Sequence, residues 1–384
     1  MPIDQPYASV QVEGVETVGN VSLVEVEDND RLIDKATVVF DDVAGVAAAT
    51  MLEQRKVVIE LGWGREKARI FEGLIWRVKC EARGDLPVGL QRVTLIALDL
   101  SFKMNQGVGK PRVHPAGKLS DIVSAIVAPY AIPVGQIKLD PDPQFTDDAP
   151  LVQGPRTDWA FLQELAIRYS ARTFVEVNDD QSKFYFVSEK ALLDGDGVGG
   201  ITFVPGSGPL IEFRYERIAT AAAPIRSAVV IDPATGDPVV KTGTPPAPEP
   251  PLSVDPDEKS ELDKLGGGEG TVYSNAVDVM SKAAGKVEDA RAQETIAGAP
   301  SDPNLADQLI QQDPTRQYGL LGRGIAVGSV NLRAKTKITI KGVAPWAEGD
   351  WYVRRVHHRV TSGSGLDEYR QPLGTYRTRF VVTR

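Results

Sequence analysis

Residues 57–76 read VVIELGWGREKARIFEGLIW, and this stretch decides the fold class. Two apolar runs, Val57–Leu61 and Ile70–Trp76, flank the Gly-Trp-Gly segment at residues 62–64. Glycine is the residue that a reversing chain tolerates best, so the stretch predicts a β-hairpin. Strand-like sequence continues on both sides from about Val10 to Leu100, and the first hundred residues are therefore predicted to be mainly β.

The composition is that of a globular chain with more than one domain. The chain has 384 residues, 42% of them hydrophobic, and a formal net charge of −9. Because an acidic chain gains nothing from counterion release on a phosphate backbone, nucleic-acid binding is disfavoured as its main task. A single cysteine, Cys80, excludes an intrachain disulfide framework and is interpreted as a small strand residue.

No targeting or membrane-spanning segment is predicted from the sequence. The N-terminus lacks the basic and apolar regions of a signal peptide, and the best apolar run, Ile122–Val134, is too short to span a bilayer. We therefore expect synthesis in the cytoplasm and no membrane insertion by this chain alone.

The period of the apolar residues changes along the chain and predicts its organisation. A helix is expected over Asp42–Gln54, and the clearest helix begins at Thr157-Asp158, where a hydroxyl cap precedes an acid. An Ala-rich helix is expected over Tyr273–Ala297. The predicted segments are a first β-barrel domain (1–105), an α+β middle domain (106–210), connecting strands (211–231), a Pro/Gly-rich loop or linker (232–270), a helical connector (271–324) and strands completing a second β-barrel domain (325–384).

The first and last parts of the chain repeat one pattern. Near Gly62 a strand, a glycine and two further strands follow each other, and the sequence around Gly342 repeats this order with Lys337–Lys341, Trp351–Val356 and Thr378–Val382. The repeat indicates either a duplicated supersecondary unit or the general similarity of any two antiparallel meanders. Both interpretations remain open at this point.

The motifs that suggest chemistry are incomplete. Asp194–Gly197 resembles the start of a calcium loop but lacks the later carboxylate ligands, and Gly107–Pro111 lacks the first glycine and the hydroxyl of a phosphate loop. His357 and His358 would face opposite sides of a strand and so cannot bind one metal ion, and the only other histidine is His114.

Other candidate residues have a simpler structural interpretation. Asp147, Asp148 and Glu164 could perform acid–base chemistry, but solvated surface acids are the more frequent case. The side chains Trp159, Leu162 and Leu165 are predicted to form the core of the middle domain rather than a partner groove. For Trp63 and Trp76, core packing and a subunit contact both remain open. We therefore expect no catalytic, cofactor-binding or metal-binding residue, no cofactor, and no enzymatic activity.

Three stretches of the chain follow a pattern known from one family. They are Thr157–Ala166, then Leu61–Gly64 with Phe71–Gly73, and the ending with Gly349–Val353, His358 and Tyr376–Thr378. In these stretches the sequence resembles the phage late control D proteins, baseplate hub proteins that share a fold with the hub part of type VI secretion spikes. The Pro/Gly-rich insertion departs from the family pattern, and no needle, hydrolase or peptidoglycan-binding module is expected after Arg384.

The resemblance implies a fold and a role. The fold is mainly β with α+β insertions, with two related tube-like antiparallel β-barrel domains and a small α+β middle domain. The role is that of a structural baseplate hub of a contractile phage tail or phage-like injection system. The implied homotrimer forms a ring that adapts a sixfold tail tube to a threefold spike, because three chains with two barrels each supply six similar units.

The implied partners are a spike protein below, a tail tube or tube-initiator protein above, and other baseplate proteins. DNA or an effector would pass the channel only as transient cargo. The expected location is the virion tail baseplate or an assembled injection particle. Two alternatives are retained: a tail-associated cell-wall hydrolase, and a needle-less secretion spike component that carries effectors.

Overall fold

The chain is described by a computed structural model, which is mainly β with small helical insertions and so confirms the predicted fold class. The described residues are 6–17, 20–43, 45, 48–49, 51–63, 66–82, 90–109, 111–140, 142–194, 202–204, 206, 208–217, 225–231, 237–243, 293–295, 320–344, 347–361 and 375–384. Within these ranges no helix is long and apolar enough to cross a membrane.

The first β unit is an antiparallel sheet of seven strands in the order β2-β1-β5-β6-β7-β4-β3. Its strands are β1 (Pro6–Val12), β2 (Val15–Glu16), β3 (Asn20–Asn29), β4 (Lys35–Val43), β5 (Lys56–Trp63), β6 (Glu66–Glu81) and β7 (Leu90–Asp99). The predicted hairpin is confirmed as β5–β6. Gly62 is required there because a Cβ atom would lie 2.0 Å from the carbonyl oxygen of Glu66.

The middle unit combines short helices with small sheets. Its elements are α1 (Phe102–Asn105), β8 (Arg112–Val113), β9 (Gly117–Lys118), α2 (Leu119–Val127), a 3-10 turn (Ala128–Tyr130), β10 (Val134–Lys138), β11 (Gln144–Phe145), β12 (Val152–Gln153), α3 (Asp158–Arg168), β13 (Ala171–Asn178), β14 (Gln181–Ser188) and α4 (Glu189–Asp194). The predicted cap of α3 is confirmed, because the Thr157 hydroxyl accepts a hydrogen bond from the Ala160 N–H at 3.2 Å.

The second β unit is built from two distant parts of the chain. The remaining strands are β15 (Thr202–Phe203), β16 (Leu210–Arg217), β17 (Ile225–Ile231), β18 (Pro238–Gly243), β19 (Gln293–Thr295), β20 (Leu320–Val327), β21 (Lys337–Ile340), β22 (Gly349–Thr361) and β23 (Thr375–Thr383). Six of them pair in the order β15-β21-β22-β23-β20-β16, whereas β17, β18 and β19 form a separate small sheet.

The two β units share one topology. Without the two-residue strand β2, the first unit pairs in the order β1-β5-β6-β7-β4-β3. In chain order, its strands β1, β3, β4, β5, β6 and β7 correspond to β15, β16, β20, β21, β22 and β23. Replacing each strand by its counterpart gives β15-β21-β22-β23-β20-β16, the order of the second unit. One difference is that β1 is antiparallel to β5, whereas β15 is parallel to β21. The same order in both units supports duplication over a chance likeness of meanders.

Two register irregularities also coincide, whereas the shift between Ile59 and Glu60 in β5–β6 has no counterpart in β21–β22. The ladder β6–β7 shifts between Ile75 and Arg77, and its counterpart β22–β23 shifts between Val353 and Arg355. The ladders β3–β4 and β16–β20 likewise each carry one shift near the start of the paired segment, between Val21 and Leu23 in β3 and between Leu210 and Glu212 in β16. Because a β-bulge places one extra residue at a defined point of a strand, the bulges give a residue-by-residue correspondence between the units.

Each unit has its own apolar core. Phe40, Ile59 and Leu95 are fully buried in the first β unit, and Trp351 and Val353 in the second. Burial of each such side chain contributes roughly 1.5–3 kcal/mol. The middle unit has a third core, which contains the predicted core residues Trp159, Leu162 and Leu165.

Three predictions of local structure are wrong in the described residues. Among the described residues of the helix expected over Asp42–Gln54, residues 48–49 are helical, whereas Asp42 extends β4 and Gln54 has a positive φ of 68°. The described parts of the helical connector, 293–295 and 320–324, are strands, as are residues 238–243 of the Pro/Gly-rich segment. Pairing with distant strands overrides local propensity at these places; the rest of those two segments lies outside the described residues.

Candidate functional site: a buried charged junction

Six charged side chains meet where the two β units and the middle unit touch. We call this cluster the charged junction. The first β unit contributes three aspartates from the ends of β3 and β7 and the turn between β3 and β4, the middle unit contributes one glutamate from β13, and the segment between β20 and β21 contributes two cations. The members are Asp28, Asp34, Asp99, Glu176, Arg333 and Lys335.

Lys335 is the centre of the charged junction. Its Nζ atom lies 2.6 Å from Asp28 Oδ1, 2.7 Å from Glu176 Oε2 and 3.4 Å from Asp34 Oδ2, and its side chain is 3% exposed. The same ammonium lies 4.9 Å from the centre of the Phe174 ring. A single side chain of the second β unit therefore contacts both other units.

Arg333 makes a parallel set of contacts. Its Nε atom lies 3.3 Å from Asp28 Oδ2, and its guanidinium donates to Glu176 and, at 3.2 Å, to the carbonyl oxygen of Ile70. The backbone N–H of Ala334 donates to Asp28 Oδ2 at 2.9 Å. Because Asp28 accepts from three successive residues, the whole 333–335 segment is fixed on the end of β3.

Opposite charges determine the ionisation of Asp28 and Lys335. Burial alone would raise the pKa of Asp28, but the attraction of Lys335 and Arg333 outweighs it and lowers the pKa to about 2. Burial alone would lower the pKa of Lys335, yet the surrounding carboxylates raise it well above its usual value. Asp28 and Lys335 are therefore both charged at neutral pH.

Asp34 and Asp99 behave in the opposite way. Burial raises the pKa of Asp34 well above its usual range, and the neighbouring carboxylates add to this effect. Burial likewise raises the pKa of Asp99, to about 6. Four carboxylates face two cations, so retaining a proton on an aspartate reduces the excess negative charge. The backbone N–H of Asp34 donates to Asp99 at 2.6 Å and holds the pair together.

A second ion cluster lies beside the charged junction. The Arg172 guanidinium of β13 is buried and contacts Glu189, and its Nε atom lies 3.4 Å from Asp30 Oδ2. Arg354 of β22 approaches the same Asp30 oxygen at 3.7 Å. The same three units are therefore connected at two adjacent points.

Aromatic contacts connect the two β units further. The Trp63 indole N–H donates to the carbonyl oxygen of Gly328 at 2.8 Å, and its ring stacks on Tyr376 with centroids 5.9 Å apart. Tyr376 in turn hydrogen-bonds the Nδ1 atom of His358 at 2.9 Å. Trp63 is therefore an intrachain contact, whereas Trp76 is 42% exposed.

The charged junction is suited to a mechanical role. The carboxylate oxygens of Asp28, Asp34 and Glu176 lie within 4.8 Å of one another, a spacing that could hold a metal ion. The Lys335 ammonium lies among these oxygens, so it supplies the positive charge that they require. Breaking a buried ion pair on one side costs about 3–5 kcal/mol, so the contacts strongly favour one relative arrangement of the units.

The structure does not bring together the candidate residues that the sequence suggested for chemistry. Asp147 and Asp148 are exposed, and Glu164 pairs with Arg156 and, at 3.0 Å, with Arg168 on the surface. His114 contacts Gln153 at 3.3 Å in the middle unit. The exposed Cys80 lies in β6.

The paired histidines point to opposite sides of β22, as predicted. His357 is half-buried, and its Nε2 atom lies 3.8 Å from Glu25, whereas His358 is fully buried. Burial lowers the pKa of His358 to about 3, and the nearby Arg333 guanidinium adds to this effect. Residues 107–109 form a loop, and Asp194 ends α4, whereas residues 195–197 lie outside the described chain.

A cavity of about 610 Å³ lies between the first β unit and the middle unit. Lys56 and Glu72 line it and already pair with each other, with Nζ and Oε1 2.6 Å apart. Leu74, Leu100 and Ser182 form other parts of its wall. This lining gives no arrangement of nucleophile, base and oxyanion donors from which a reaction could be argued.

The architecture defines a class of protein: two pseudo-repeated β units joined around a small α+β unit. No protein-family model matches the sequence, and no curated protein matches it significantly. Solved structures do match. A tail protein from Neisseria meningitidis MC58 is 9% identical with a TM-score of 0.62, and the alignment covers 99% of this chain and 97% of that one.

Two further structures give the same result. The 43 kDa tail protein of prophage MuSo2 from Shewanella oneidensis is 9% identical, with a TM-score of 0.62 over 99% of this chain and 98% of that chain. The E. coli c3393 protein, a component of the type VI secretion system, is 10% identical, with a TM-score of 0.55 over 97% and 76%. The chain therefore has the fold of phage tail proteins, which confirms the resemblance at the level of fold.

Proposed function

We propose that this chain is a structural baseplate hub of a contractile phage tail or a phage-like injection system. In this role three copies form a ring that adapts a sixfold tail tube to a threefold spike. The observation that carries the proposal is the repeated β unit, with one strand order and coincident bulges. Three chains with two such units each present six similar surfaces, which a sixfold partner requires.

The charged junction supports this role. An adaptor between two symmetries must hold its two β units in a fixed relative position, since each unit meets an equivalent part of the tube. Lys335 and Arg333 connect the second β unit to both other units through buried ion pairs. The likeness to phage tail proteins and to a type VI secretion component favours the same role.

The proposed partners follow from the proposed position in the tail. They are a spike protein below the ring, a tube or tube-initiator protein above it, and other baseplate proteins, with DNA or an effector as transient cargo. The proposed location is the tail baseplate of a virion or injection particle, after synthesis in the cytoplasm.

We also propose that the chain is not an enzyme. The strongly shifted carboxylates at the charged junction are engaged by Lys335, by Arg333 or by backbone N–H groups. Purified cell wall incubated with the protein is expected to release no soluble fragments. Release by the wild-type protein would contradict this part of the proposal, and the Asp147→Asn and Glu164→Gln variants would then show whether either carboxylate is the catalytic group.

The ring itself is tested with purified protein. Native mass measurement is expected to give a species of three chains, and particle images are expected to show threefold symmetry with six similar outer lobes. A matched comparison with Lys335→Met tests whether the junction supports assembly. A stable monomer that never joins a spike or tube would contradict the proposed function.

A further inference from the structure

The joint between the two β units inside one chain is a strand pairing. The C-terminal half of β22 pairs with β3 in antiparallel register, with His357 opposite Glu27 and Arg359 opposite Glu25. Opposite charges support this ladder, because Arg359 Nε lies 3.3 Å from Glu25 Oε1 and Arg355 pairs with Glu27. Such cross-strand pairs each contribute about 0.2–1 kcal/mol.

The repeated topology supplies the same two edges a second time. The counterpart of β22 is β6. Beyond Arg77, β6 pairs with β7 on one side, and no strand of the described chain pairs with its other side. The counterpart of β3 is β16, which lies at the end of the large sheet with β20 as its one strand neighbour among the described residues. Strand edges of this kind offer backbone donors and acceptors to another chain.

The bulges predict which residues would meet. They align Arg77 with Arg355, and they align Glu212 with Leu23. Transferring the register of the β3–β22 ladder then places Lys79 opposite Glu216 and Glu81 opposite Arg214. Both pairs join opposite charges, and the bulges alone determine this register, independently of charge.

We infer that β16 of one copy pairs antiparallel with the second half of β6 in the next copy. The inference rests on the proposed ring and names the contact that closes it. Lys79 and Arg214 are accessible in one copy, since their side chains are 62% and 83% exposed, and among the described residues each pairs with a near neighbour on its own strand. Repeating the β3–β22 joint between copies makes all six joints of the ring alike.

The exposed aromatic of β6 fits the same contact. Trp76 lies at the bulge that begins this half of β6 and corresponds to Arg354, which in the second β unit reaches Asp30 just beyond the end of β3. A half-exposed tryptophan at the start of a strand edge is a suitable anchor for a neighbouring chain. Trp76 is thereby assigned to a subunit contact, which the sequence alone left open.

A cysteine pair tests the register. In Lys79→Cys/Glu216→Cys with Cys80→Ser, mild oxidation is expected to give linked species of two and three chains on a denaturing gel and none larger. The matched control, Lys138→Cys with the same Glu216→Cys and Cys80→Ser changes, moves the first cysteine to an exposed position of β10 and is expected to stay unlinked.

A charge exchange tests the energetics. Lys79→Glu places like charges at three joints of the ring and is expected to raise the concentration at which half the protein is monomeric by about tenfold. Adding Glu216→Lys is expected to restore it, and Lys138→Glu is expected to leave it unchanged. Mass photometry across a dilution series gives these values.

The outcomes separate this inference from the proposed function. If the wild-type protein is trimeric but neither links through the cysteines nor responds to Lys79→Glu, the edge pairing is wrong while the proposed ring stands. Cross-links within a single chain would also overturn the pairing. If the wild-type protein is monomeric at every concentration tested, both the ring and the pairing fall.

Discussion

Replacing Lys335 with methionine tests the charged junction, because the change keeps the side-chain length and removes only the charge. Asp28 and Glu176 then lose partners at 2.6 and 2.7 Å in a site where the lysine side chain is 3% exposed. Removing one partner of a buried ion pair costs about 3–5 kcal/mol. We expect the free energy of unfolding of Lys335→Met to fall by this amount near neutral pH.

The pH dependence of this cost has a definite sign. Without Lys335, burial of Asp28 is less opposed, and the pKa of Asp28 is expected to rise from its low value in the wild-type fold. As pH falls, the folded variant then binds more protons than the folded wild type, so part of the lost stability is recovered at low pH. The difference from the wild type is therefore expected to be larger at about pH 8 than at about pH 5.

Urea denaturation at equal protein concentration measures both effects, and Lys138→Met, an exposed lysine on β10, is the matched control. The control is expected to change the free energy of unfolding by less than about 0.5 kcal/mol. A Lys335→Met variant as stable as this control at pH 8 would refute the reasoning, because the carboxylates would then not depend on the ammonium.

Three further predictions concern single contacts. The pKa of His358 is about 3 in the folded protein, below its pKa in the unfolded chain, so the neutral side chain contributes stability that is lost as pH falls through this range. Between about pH 7.5 and 4, the free energy of unfolding of the wild type should fall by roughly 3 kcal/mol more than that of His358→Gln, as measured by urea titrations. Trp63→Phe removes the hydrogen bond to Gly328 and should cost about 1 kcal/mol, whereas an unchanged urea midpoint would exclude a role for the bond. Thr157→Ala removes the cap of α3 and should cost about 1 kcal/mol, which Thr157→Ser should restore.

Local signals in the sequence predicted the elements that depend on local chemistry. The hairpin around Gly62 and the capped helix after Thr157 were found because turn and cap residues act on their immediate neighbours. The strand at 320–324 was missed for the opposite reason: pairing with β23, more than fifty residues away, determines its structure. The duplication became clear only when strand order and bulges were known.

The charged junction could not be predicted from the sequence. Asp28 and Lys335 are separated by about three hundred residues, and each looks like an ordinary surface charge in its own segment. The unusual backbone of Lys335, with a positive φ of 65°, is visible only in the structure, because such a conformation usually belongs to glycine or asparagine. It shows that the contacts of the 333–335 segment outweigh its backbone preference.

The central claim is that three copies of this chain, each with two like β units, form one closed ring. Native mass spectrometry of the purified protein measures this most directly, since one chain has a mass of 41.5 kDa. The account predicts a species close to three times that mass that persists on dilution into the micromolar range. A monomer, or an open series of larger species without a dominant trimer, would contradict it.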